Sequence, residues 1–363
     1  MSNILLLSSE FPPGPGGIGS HAFHVTNELK KRGRNIVVYT ISDYSSENEE
    51  TDFDMHCAFN IYRFMRFRNF LFTWIHRIWV ICDFCFQNKV TNVFSSGRFP
   101  IWMIPILKVI GISNVIAILH GSEIGKGFWS KWLFFCLNKA DNIIAVSKFT
   151  RSLLPVRLRS ISTVIHNGVD PDQWHPEKDK PVLNNYPILL TVGSISLRKG
   201  QYNVVSALPS IKKSFPDVHY HCLGAVGQKD ILLDRVRELG LEKMVTIHGV
   251  VSHTTLENMY NKAHVNMMLT GHDLDGEVEG YGISVLEGNI FGIPSIGAKH
   301  SGLADSIFPR VNGLLVDPKN LEEIVNALRG ILSDYKKYSH RSRQYALHNT
   351  WAHRIPHYAK YLV

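Results

Sequence analysis

The sequence predicts an α/β protein built from two doubly wound domains. Its 363 residues suit two domains, since an ordinary domain has roughly 150 residues. Both halves of the chain alternate short apolar runs with longer amphipathic segments, which is typical of parallel sheets covered by helices. A turn-rich break at residues 166–170, followed by several prolines, separates the halves. We therefore expect one domain over residues 1–166 and a second over residues 167–345.

Composition excludes several classes of protein. Hydrophobic residues make up 45% of the chain and charged residues 19%, which argues against a disordered protein. Five cysteines are too few for a disulfide scaffold and favour a reducing compartment. The start of the sequence leads directly into the apolar run Ile4–Leu7 without a basic region or a small-residue cleavage site. We expect a cytoplasmic protein without a secretory signal.

The first half opens with a strand, a helix and a second strand. Ile4–Ser8 is the first strand, and a helix from about Ser20 to Arg32 ends at Gly33 before the strand Asn35–Thr40. Later strands, with helices between them, are predicted at Asn92–Ser95, Asn114–Leu119, Asn142–Val146 and Ser162–Ile165.

The second half shows the same alternation without an evident sequence repeat. Its predicted strands are Ile188–Val192, His219–Leu223, Val245–His248, Val265–Leu269 and Ser295–Gly297. Its predicted helices are Tyr202–Phe215, Asp230–Leu239, Thr254–Lys262, Ile283–Phe291 and Leu321–Leu332. Two such domains place a ligand cleft between them, at the carboxyl ends of their strands.

Positive charge is concentrated in the first half. Residues 1–167 hold 18 Lys and Arg against 11 Asp and Glu, whereas the remainder holds 21 against 20. Within segment 59–108, Asp83 is the single acid among aromatic and aliphatic residues, and the cations are Arg63, Arg66, Arg68, Arg77, Lys89, Arg98 and Lys108. Buried helices with basic rims and a peripheral contact with an anionic membrane both fit this segment. A nucleic-acid patch is the third alternative, although we expect no nucleic acid among the partners.

Neither a membrane span nor a metal site is predicted within this segment. His76, Arg77 and Asp83 interrupt the apolar run at residues 70–86, which is shorter than the roughly 20 apolar residues a span needs. Cys82 and Cys85 form a lone C-x-x-C without a second pair of ligands nearby, so we expect them to pack on one helical face.

A glycine-rich loop follows the first strand. Gly14–Gly19 satisfies G-x-G-x-x-G between a strand and a helix, and Asp43 lies where a ribose-binding acid could stand. This pattern favours an NAD-dependent oxidoreductase. Three prolines and a long spacing from the strand argue against that alternative. In either case, Gly16 and Gly17 let backbone N–H groups approach an anion at a helix N-terminus.

Two motifs in the second half are more specific. The loop Gly193–Gly200 between a strand and a helix carries Arg198 and Lys199, which suit a diphosphate because both cations and the helix dipole attract its oxygens. Glu279 and Glu287 stand eight residues apart around a glycine-rich helix start.

Together these motifs resemble the retaining glycosyltransferases of family 4. In chain order they are the first glycine loop, His120-Gly121, Asn167–Asp170, Arg198-Lys199-Gly200, Glu279–Glu287 and Asn312–Val316. The resemblance extends from Ile4 to about Tyr361. It implies the GT-B architecture, in which two Rossmann-like domains face an interdomain cleft, and a C-terminal helix at residues 346–363 that crosses back onto the first, acceptor-binding domain.

A nucleotide-sugar donor, UDP- or GDP-linked, finds a partner for each of its parts. Glu287 can accept hydrogen bonds from the ribose hydroxyls and Glu279 from the sugar, while Arg198 and Lys199 neutralise the departing diphosphate in place of a metal ion. The predicted donor-binding residues are Gly16, Gly17, Arg198, Lys199, Val250, Glu279, Gly280, Tyr281, Gly282, Ile283 and Glu287. The predicted catalytic residues are His120, which the resemblance places beside the donor sugar, with Arg198, Lys199 and Glu279.

The chain departs from the family at three places. Ser194 stands where an arginine is usual, so we expect Arg198 to take over part of that duty, and Tyr281 replaces a phenylalanine. Asp273-Leu274-Asp275 mimics the D-x-D metal motif of another glycosyltransferase fold, but we interpret it as a solvated loop. No metal and no other cofactor is predicted.

The resemblance implies transfer of a hexose-type sugar to a hydroxyl of a glycan or lipid-linked acceptor, with retention of configuration and without a protein nucleophile. A related epimerase, the NAD-dependent oxidoreductase and a non-catalytic sugar-binding protein remain as alternatives. The Arg198-Lys199 turn and the Glu279–Glu287 segment disfavour an oxidoreductase, which would not need them. They also disfavour a non-catalytic protein, because their charged donor-binding groups are intact.

Overall fold

Two parallel β-sheets organise the chain. The computed structural model describes residues 3–41, 47–64, 67–125, 127–177, 187–271 and 278–362. The chain divides into a first unit, residues 1–167 with 351–363, and a second unit, residues 168–350. Asp43, Arg66 and the Asp273–Asp275 motif lie outside the described residues.

The first unit contains a seven-stranded sheet in the order β3-β2-β1-β4-β5-β6-β7. Its strands are β1 Asn3–Ser8, β2 Ile36–Ile41, β3 Ile61–Phe64, β4 Val90–Ser96, β5 Asn114–Leu119, β6 Asn142–Ala145 and β7 Ser162–Val164. Its helices are α1 Gly17–Lys31, α2 Glu47–Met55, α3 Phe70–Gln87, α4 Arg98–Trp102, α5 Ile104–Val109, α6 Phe128–Leu137, α7 Lys148–Ser152 and α8 Val156–Ser160, with the C-terminal helix described below.

Apolar side chains cover both faces of this sheet. Leu5 and Leu7 of β1 point into a core shared with α3 to α6, whereas Ile4 and Leu6 point into a core shared with α1 and the C-terminal helix. Burial on both faces explains the continuous apolar run in β1. Within the described ranges, no helix, α3 included, combines the length and apolar character that crossing a membrane requires.

The second unit contains a six-stranded sheet in the order β10-β9-β8-β11-β12-β13. Its strands are β8 Ile188–Val192, β9 His219–Leu223, β10 Val245–Gly249, β11 Val265–Met268, β12 Ser295–Ala298 and β13 Gly313–Val316. Its helices are α9 Gln201–Ser214, α10 Lys229–Glu238, α11 His253–Lys262, α12 Ile283–Ile290, α13 Leu321–Ser333 and α14 Tyr335–His348, with 3₁₀ turns at Pro171–Gln173 and Gly302–Asp305. The C-terminal helix is α15 Trp351–Ala359.

Both strand orders reverse next to the first strand of the sheet. Strand β1 lies between β2 and β4, and β8 lies between β9 and β11. Ligands of doubly wound sheets bind at the carboxyl ends of the strands beside such a reversal. In the second unit this position is taken by the loop after β8, which carries Arg198 and Lys199.

Several elements were absent from the sequence-based expectations. Helix α2, the four-residue edge strand β3, strand β13 and helix α14 were not anticipated. The predicted C-terminal helix at 346–363 is divided in the structure: residues 346–348 end α14 in the second unit, and α15 belongs to the first unit. The α15 side chain of Tyr358 is fully buried, and its hydroxyl lies 2.7 Å from Nε2 of His21 on α1.

Candidate active site

The turn after β8 holds Arg198 and Lys199 at the start of α9. Gly200 caps this helix with a left-handed backbone at φ 83°. A side chain at Gly200 would meet the carbonyl oxygen of Leu269 at 2.1 Å, so the turn packs directly against the residue that follows β11. The N–H of Gly271 donates to the carbonyl of Arg198 at 3.2 Å. Backbone contacts thus fix both cations at the carboxyl end of the sheet.

Glu279 brings the two cations together. Its Oε2 lies 2.8 Å from a guanidinium nitrogen of Arg198 and 2.8 Å from Nζ of Lys199. Burial raises the pKa of Glu279, but Lys199, Arg198 and the donated N–H of Gly282 outweigh burial and lower the pKa below its ordinary value. Glu279 is therefore an ionised, buried carboxylate shared by two cations.

The backbone around Glu279 is held from behind by the 3₁₀ turn at Gly302. The N–H of Gly302 donates to the carbonyl of Glu279 at 2.9 Å, and the Ser306 hydroxyl donates to the carbonyl of Tyr281 at 2.7 Å. A Cβ atom at Gly302 would lie 2.0 Å from the carbonyl carbon of Gly280. This close approach keeps residues 279–282 against the turn and leads the chain into α12.

Glu287 lies about one turn into α12 and is oriented by a tyrosine. The Tyr260 hydroxyl donates to its Oε2 at 3.0 Å. Burial raises the pKa of Glu287, and the Tyr260 bond and the charge of Lys199 only partly oppose this effect. The Tyr260 ring stacks on Phe291 at 5.2 Å and meets the edge of Trp174 at 5.5 Å, so the hydroxyl is fixed by packing.

Of the remaining predicted donor-binding residues of the second unit, four lie between Glu279 and Glu287 in the chain, and Val250 lies after a different strand. Gly280, Tyr281 and Gly282 connect Glu279 to α12, which begins at Ile283. Val250 directly follows β10, and its side chain is 64% exposed. Among the described residues, no group of three His, Cys, Asp or Glu side chains is arranged to hold a metal ion.

In the first unit, the predicted anion-binding glycines stand where α1 begins. Gly16 caps the helix and Gly17 is its first residue, three positions before the predicted start at Ser20. A Cβ atom at Gly16 would lie 2.0 Å from Oε2 of Glu10. A carboxylate of this chain therefore lies against the helix start at which the sequence predicts an anion.

His120 follows the end of β5 in the same unit. Its Nε2 lies 2.9 Å from Oγ of Ser96, which ends β4. Burial lowers the pKa of His120 to about 3, so the imidazole is neutral near pH 7. The N–H groups of His120 and Gly121 donate to the carboxylate of Glu123 at 3.0 and 2.9 Å, which fixes the loop that carries the histidine.

Sequence reasoning missed three residues that support these side chains. Tyr260, Ser96 and Glu123 contact Glu287, His120 and the His120 backbone. Only Glu123 had a local signal, since it lies three residues after His120 and can reach back to its N–H. The other two come from elements that are distant in the chain and meet their partners only after folding.

Comparison with known families decides the class of protein. The family profile described as Glycosyltransferase Family 4 matches residues 15–173, and the profile described as Glycosyl transferases group 1 matches residues 172–348. The chain belongs to the family 4 glycosyltransferases. It is therefore a glycosyltransferase, as the motifs predicted.

Curated relatives cover nearly the whole chain. A GDP-mannose-dependent α-(1-6)-phosphatidylinositol monomannoside mannosyltransferase of Mycolicibacterium smegmatis is 25% identical over 357 residues, covering 92% of this chain and 90% of the relative. One subunit of the human phosphatidylinositol N-acetylglucosaminyltransferase is 24% identical over 355 residues, covering 89% and 72%. The glycogen synthase of Mycobacterium tuberculosis is 23% identical over 375 residues, covering 94% and 88%.

Solved structures share the fold of this glycosyltransferase. The sucrose-phosphate synthase of Thermosynechococcus elongatus superposes with a TM-score of 0.79 at 18% identity, covering 99% of this chain and 98% of that one. Anabaena HepE in complex with UDP-glucose gives a TM-score of 0.77 at 16% identity, covering 99% of both chains. The predicted GT-B architecture with two Rossmann-like domains is confirmed.

Proposed function

We propose that this glycosyltransferase moves a hexose from a UDP- or GDP-linked donor to a hydroxyl of a glycan or lipid-linked acceptor. The observation that carries the proposal is the Glu279 carboxylate shared by Arg198 and Lys199 at 2.8 Å each. Two cations held in place beside a helix start suit a diphosphate, whose oxygens can displace the carboxylate. Glu287, which lies close enough to feel the charge of Lys199, takes the ribose hydroxyls.

The two cations stabilise the leaving group. As the bond between the sugar C1 and the phosphate oxygen breaks, negative charge grows on the diphosphate, so Arg198 and Lys199 bind the transition state more strongly than the ground state. Because Glu279 already fixes them in the free protein, little reorganisation is needed. Loss of one such cation costs about 3 kcal/mol, or roughly a hundredfold in rate, in comparable sites.

The proposed transfer retains configuration without a metal ion or a protein nucleophile. The acceptor oxygen attacks C1 from the side of the leaving group, and its proton passes to the departing phosphate oxygen. Glu279 is proposed to accept hydrogen bonds from sugar hydroxyls once the diphosphate has displaced it from the two cations, and not to attack C1. In the first domain, neutral His120 is proposed to contact the sugar, and Gly16 and Gly17 to approach the diphosphate.

Two relatives suggest the kind of acceptor. The mycobacterial mannosyltransferase and the human N-acetylglucosaminyltransferase are both named for phosphatidylinositol-containing substrates. We therefore favour a lipid-linked acceptor and a cytoplasmic enzyme that works peripherally on the inner face of a membrane.

Ligand binding and turnover test this proposal. Thermal shift with GDP, UDP, ADP and NAD should show stabilisation by one nucleoside diphosphate, since a ligand of the folded state raises its stability. Lys199→Met should lower kcat/KM for transfer roughly a hundredfold, while Lys199→Arg retains part of it. Lys212→Met, an exposed lysine in α9, is the matched control and should leave the rate unchanged.

Product analysis tests the finer points. NMR of the product should show the anomeric configuration of the donor, and turnover should persist in chelator. Stabilisation by NAD alone, or an inverted product, would contradict the proposal.

A further inference from the structure

Helices α3 and α6 present a continuous apolar surface to solvent. We call it the aromatic face; its members are Leu71, Phe72, Ile75 and Trp79 of α3 and Phe128 and Trp129 of α6. Each of these side chains is between 53% and 71% exposed. Phe72, Ile75 and Trp79 follow one another at helical spacing, so they share one side of α3. Contiguous exposed apolar patches of this kind mark interaction sites.

A ladder of stacked indoles joins the two helices and ends at Trp129 of this face. The Trp74 ring of α3 stacks on Trp102 of α4 at 5.6 Å, and Trp102 stacks on Trp129 of α6 at 5.1 Å. The ladder connects α3 and α6, which are about fifty residues apart in the chain, into one surface. Stacked rings of this size hold their neighbours with little rotamer freedom.

The surroundings of the aromatic face are positively charged. Residues 67–139 contain eight Lys and Arg against Asp83 and Glu123. Arg68, Lys131 and Lys139 are exposed on or beside α3 and α6, and Lys139 lies over the Phe135 ring at 5.9 Å. Of the two acids, Glu123 is buried, whereas Asp83 is exposed on α3 four residues after Trp79. A partner that covers this face must therefore tolerate aromatic insertion and carry negative charge around it.

Four cations of segment 59–108 are engaged within the protein, and one of them, Arg98, donates to the carbonyl of Ser122 at 3.0 Å. Arg63 pairs with Asp54 at 2.8 Å and with Glu50 at 3.4 Å, and Lys108 lies 2.9 Å from Asp141. The Arg77 side chain is buried over the Phe64 and Phe99 rings. The attraction of this segment for anions is accordingly weaker than its composition indicates. The exposed aromatic rings are therefore the more important feature of this surface for binding a partner.

We propose that the aromatic face docks this protein on the surface of a lipid bilayer that contains anionic headgroups. Trp and Phe enter the boundary between headgroups and acyl chains, while nearby Lys and Arg remain at the headgroup level. Insertion of the rings is the main force, and charge is secondary. His120, which the proposed function places at the donor sugar, precedes Phe128 by eight residues in the chain.

Vesicle flotation of the full chain tests this inference without any donor. The protein should float with vesicles of phosphatidylcholine and phosphatidylglycerol, and raised sodium chloride should weaken binding only in part. Trp79→Ser combined with Phe128→Ser should lower the partition coefficient roughly tenfold. Because both side chains are exposed, the thermal melting curve of the double variant should match that of the parent protein.

Phe308→Ser provides the control, since Phe308 is a 60% exposed aromatic residue of the second unit; it should bind vesicles like the parent protein. Equal binding by the double variant, or complete release by salt, overturns the inference. So does a dimer in sedimentation that the double variant dissociates, because the face then serves a second copy. The inference rests on the proposed function, but flotation measures membrane binding without catalysis. Transfer to a soluble acceptor is measured separately, so failure of membrane docking can be distinguished from failure of the proposed function.

Discussion

Glu279 illustrates how one residue holds two cations in position for an anionic ligand. Without it, Arg198 and Lys199 would hold two like charges side by side in a partly buried turn. The carboxylate balances both at 2.8 Å, and their charges in turn lower its pKa. In the proposed reaction, the diphosphate supplies the balancing charge instead, which leaves Glu279 available to the sugar hydroxyls.

Tyr260 is expected to position Glu287 rather than to touch the donor. Tyr260→Phe removes the hydroxyl that donates to Glu287 at 3.0 Å and leaves a half-buried carboxylate with one partner fewer. The free energy of unfolding should fall by about 1.5 kcal/mol, the contribution of a hydrogen bond to a charged group. KM for the nucleotide sugar should rise more than kcat falls, as measured by steady-state kinetics.

Tyr335→Phe is the matched control for this prediction. Within the described part of the chain, the Tyr335 hydroxyl is buried without a hydrogen-bond partner, so its removal should leave stability unchanged or raised. A deoxyribose form of the donor nucleotide adds a second readout. The rise in KM caused by the missing ribose hydroxyl should be smaller in Tyr260→Phe than in the parent protein. An unchanged rise would show that Tyr260 has only a structural role.

Short sequence motifs predicted which residues of this site carry its chemistry, but not how these residues contact one another. Arg198 and Lys199 are neighbours in a glycine-bounded turn, and Glu279 and Glu287 flank one helix start, so their chemistry is visible in short stretches of sequence. Arg198 and Glu279, however, are 81 residues apart. Their direct ion pair depends on the pairing of β8 with β11, and composition gave no sign of it.

At the scale of elements, the 3₁₀ turn at Gly302 supports the segment that carries Glu279. Gly302→Ala would bring a methyl group to 2.0 Å from the Gly280 carbonyl carbon, which is backbone and cannot rotate away. We expect a loss of about 1–3 kcal/mol in unfolding free energy, as for other overpacked sites. Affinity for the nucleoside diphosphate, measured by calorimetry, should also fall because residues 279–282 are displaced.

Gly330→Ala separates this effect from the general cost of replacing glycine. Gly330 lies in α13 with nothing within 4 Å of an added Cβ atom, so alanine should stabilise the helix by up to about 1 kcal/mol. Equal affinity of Gly302→Ala and the parent protein for the nucleotide would contradict the proposed role of the turn.

The elements that sequence patterns predicted well are those with strong apolar boundaries. Strands β5, β8 and β9 have the predicted residues at both ends, because each is an apolar or half-apolar run between polar turns. Helix α14 escaped prediction because only Ser342 and Ala346 are buried along it, which leaves no apolar stripe to recognise. Edge strand β3 has four residues, too few for a period to be visible.

At the scale of the whole molecule, buried histidines make stability depend on pH. Burial is the main cause that lowers the pKa of His24 and His221 to about 4, that of His120 to about 3, and that of His21 well below 6.5. Between pH 6.5 and 4.5 the unfolded chain binds protons at these positions and the folded chain does not. The free energy of unfolding should therefore fall as the pH falls through this window.

Two carboxyls change the free energy of unfolding with pH in the opposite direction. Burial raises the pKa of Glu123 from 4.5 to about 7 and also raises that of Glu287. Their contribution to stability is complete below pH 4.5 and is lost as the pH rises through the folded-state pKa. These four histidines outweigh the two carboxyls, so the free energy of unfolding still falls as the pH falls. Its slope is about 1.4 kcal/mol per pH unit for each proton that the unfolded chain binds in excess of the folded chain.

Two variants with opposite effects test this balance. His24→Gln removes one buried imidazole, which stacks on Trp351 at 5.5 Å, and should make stability fall less steeply between pH 6.5 and 4.5. Glu123→Gln removes an opposing group and should make it fall more steeply. Urea unfolding across this range gives both slopes, and the slope is informative even if a variant is less stable overall. Parallel curves for both variants and the parent protein would mean that neither group sets the pH dependence.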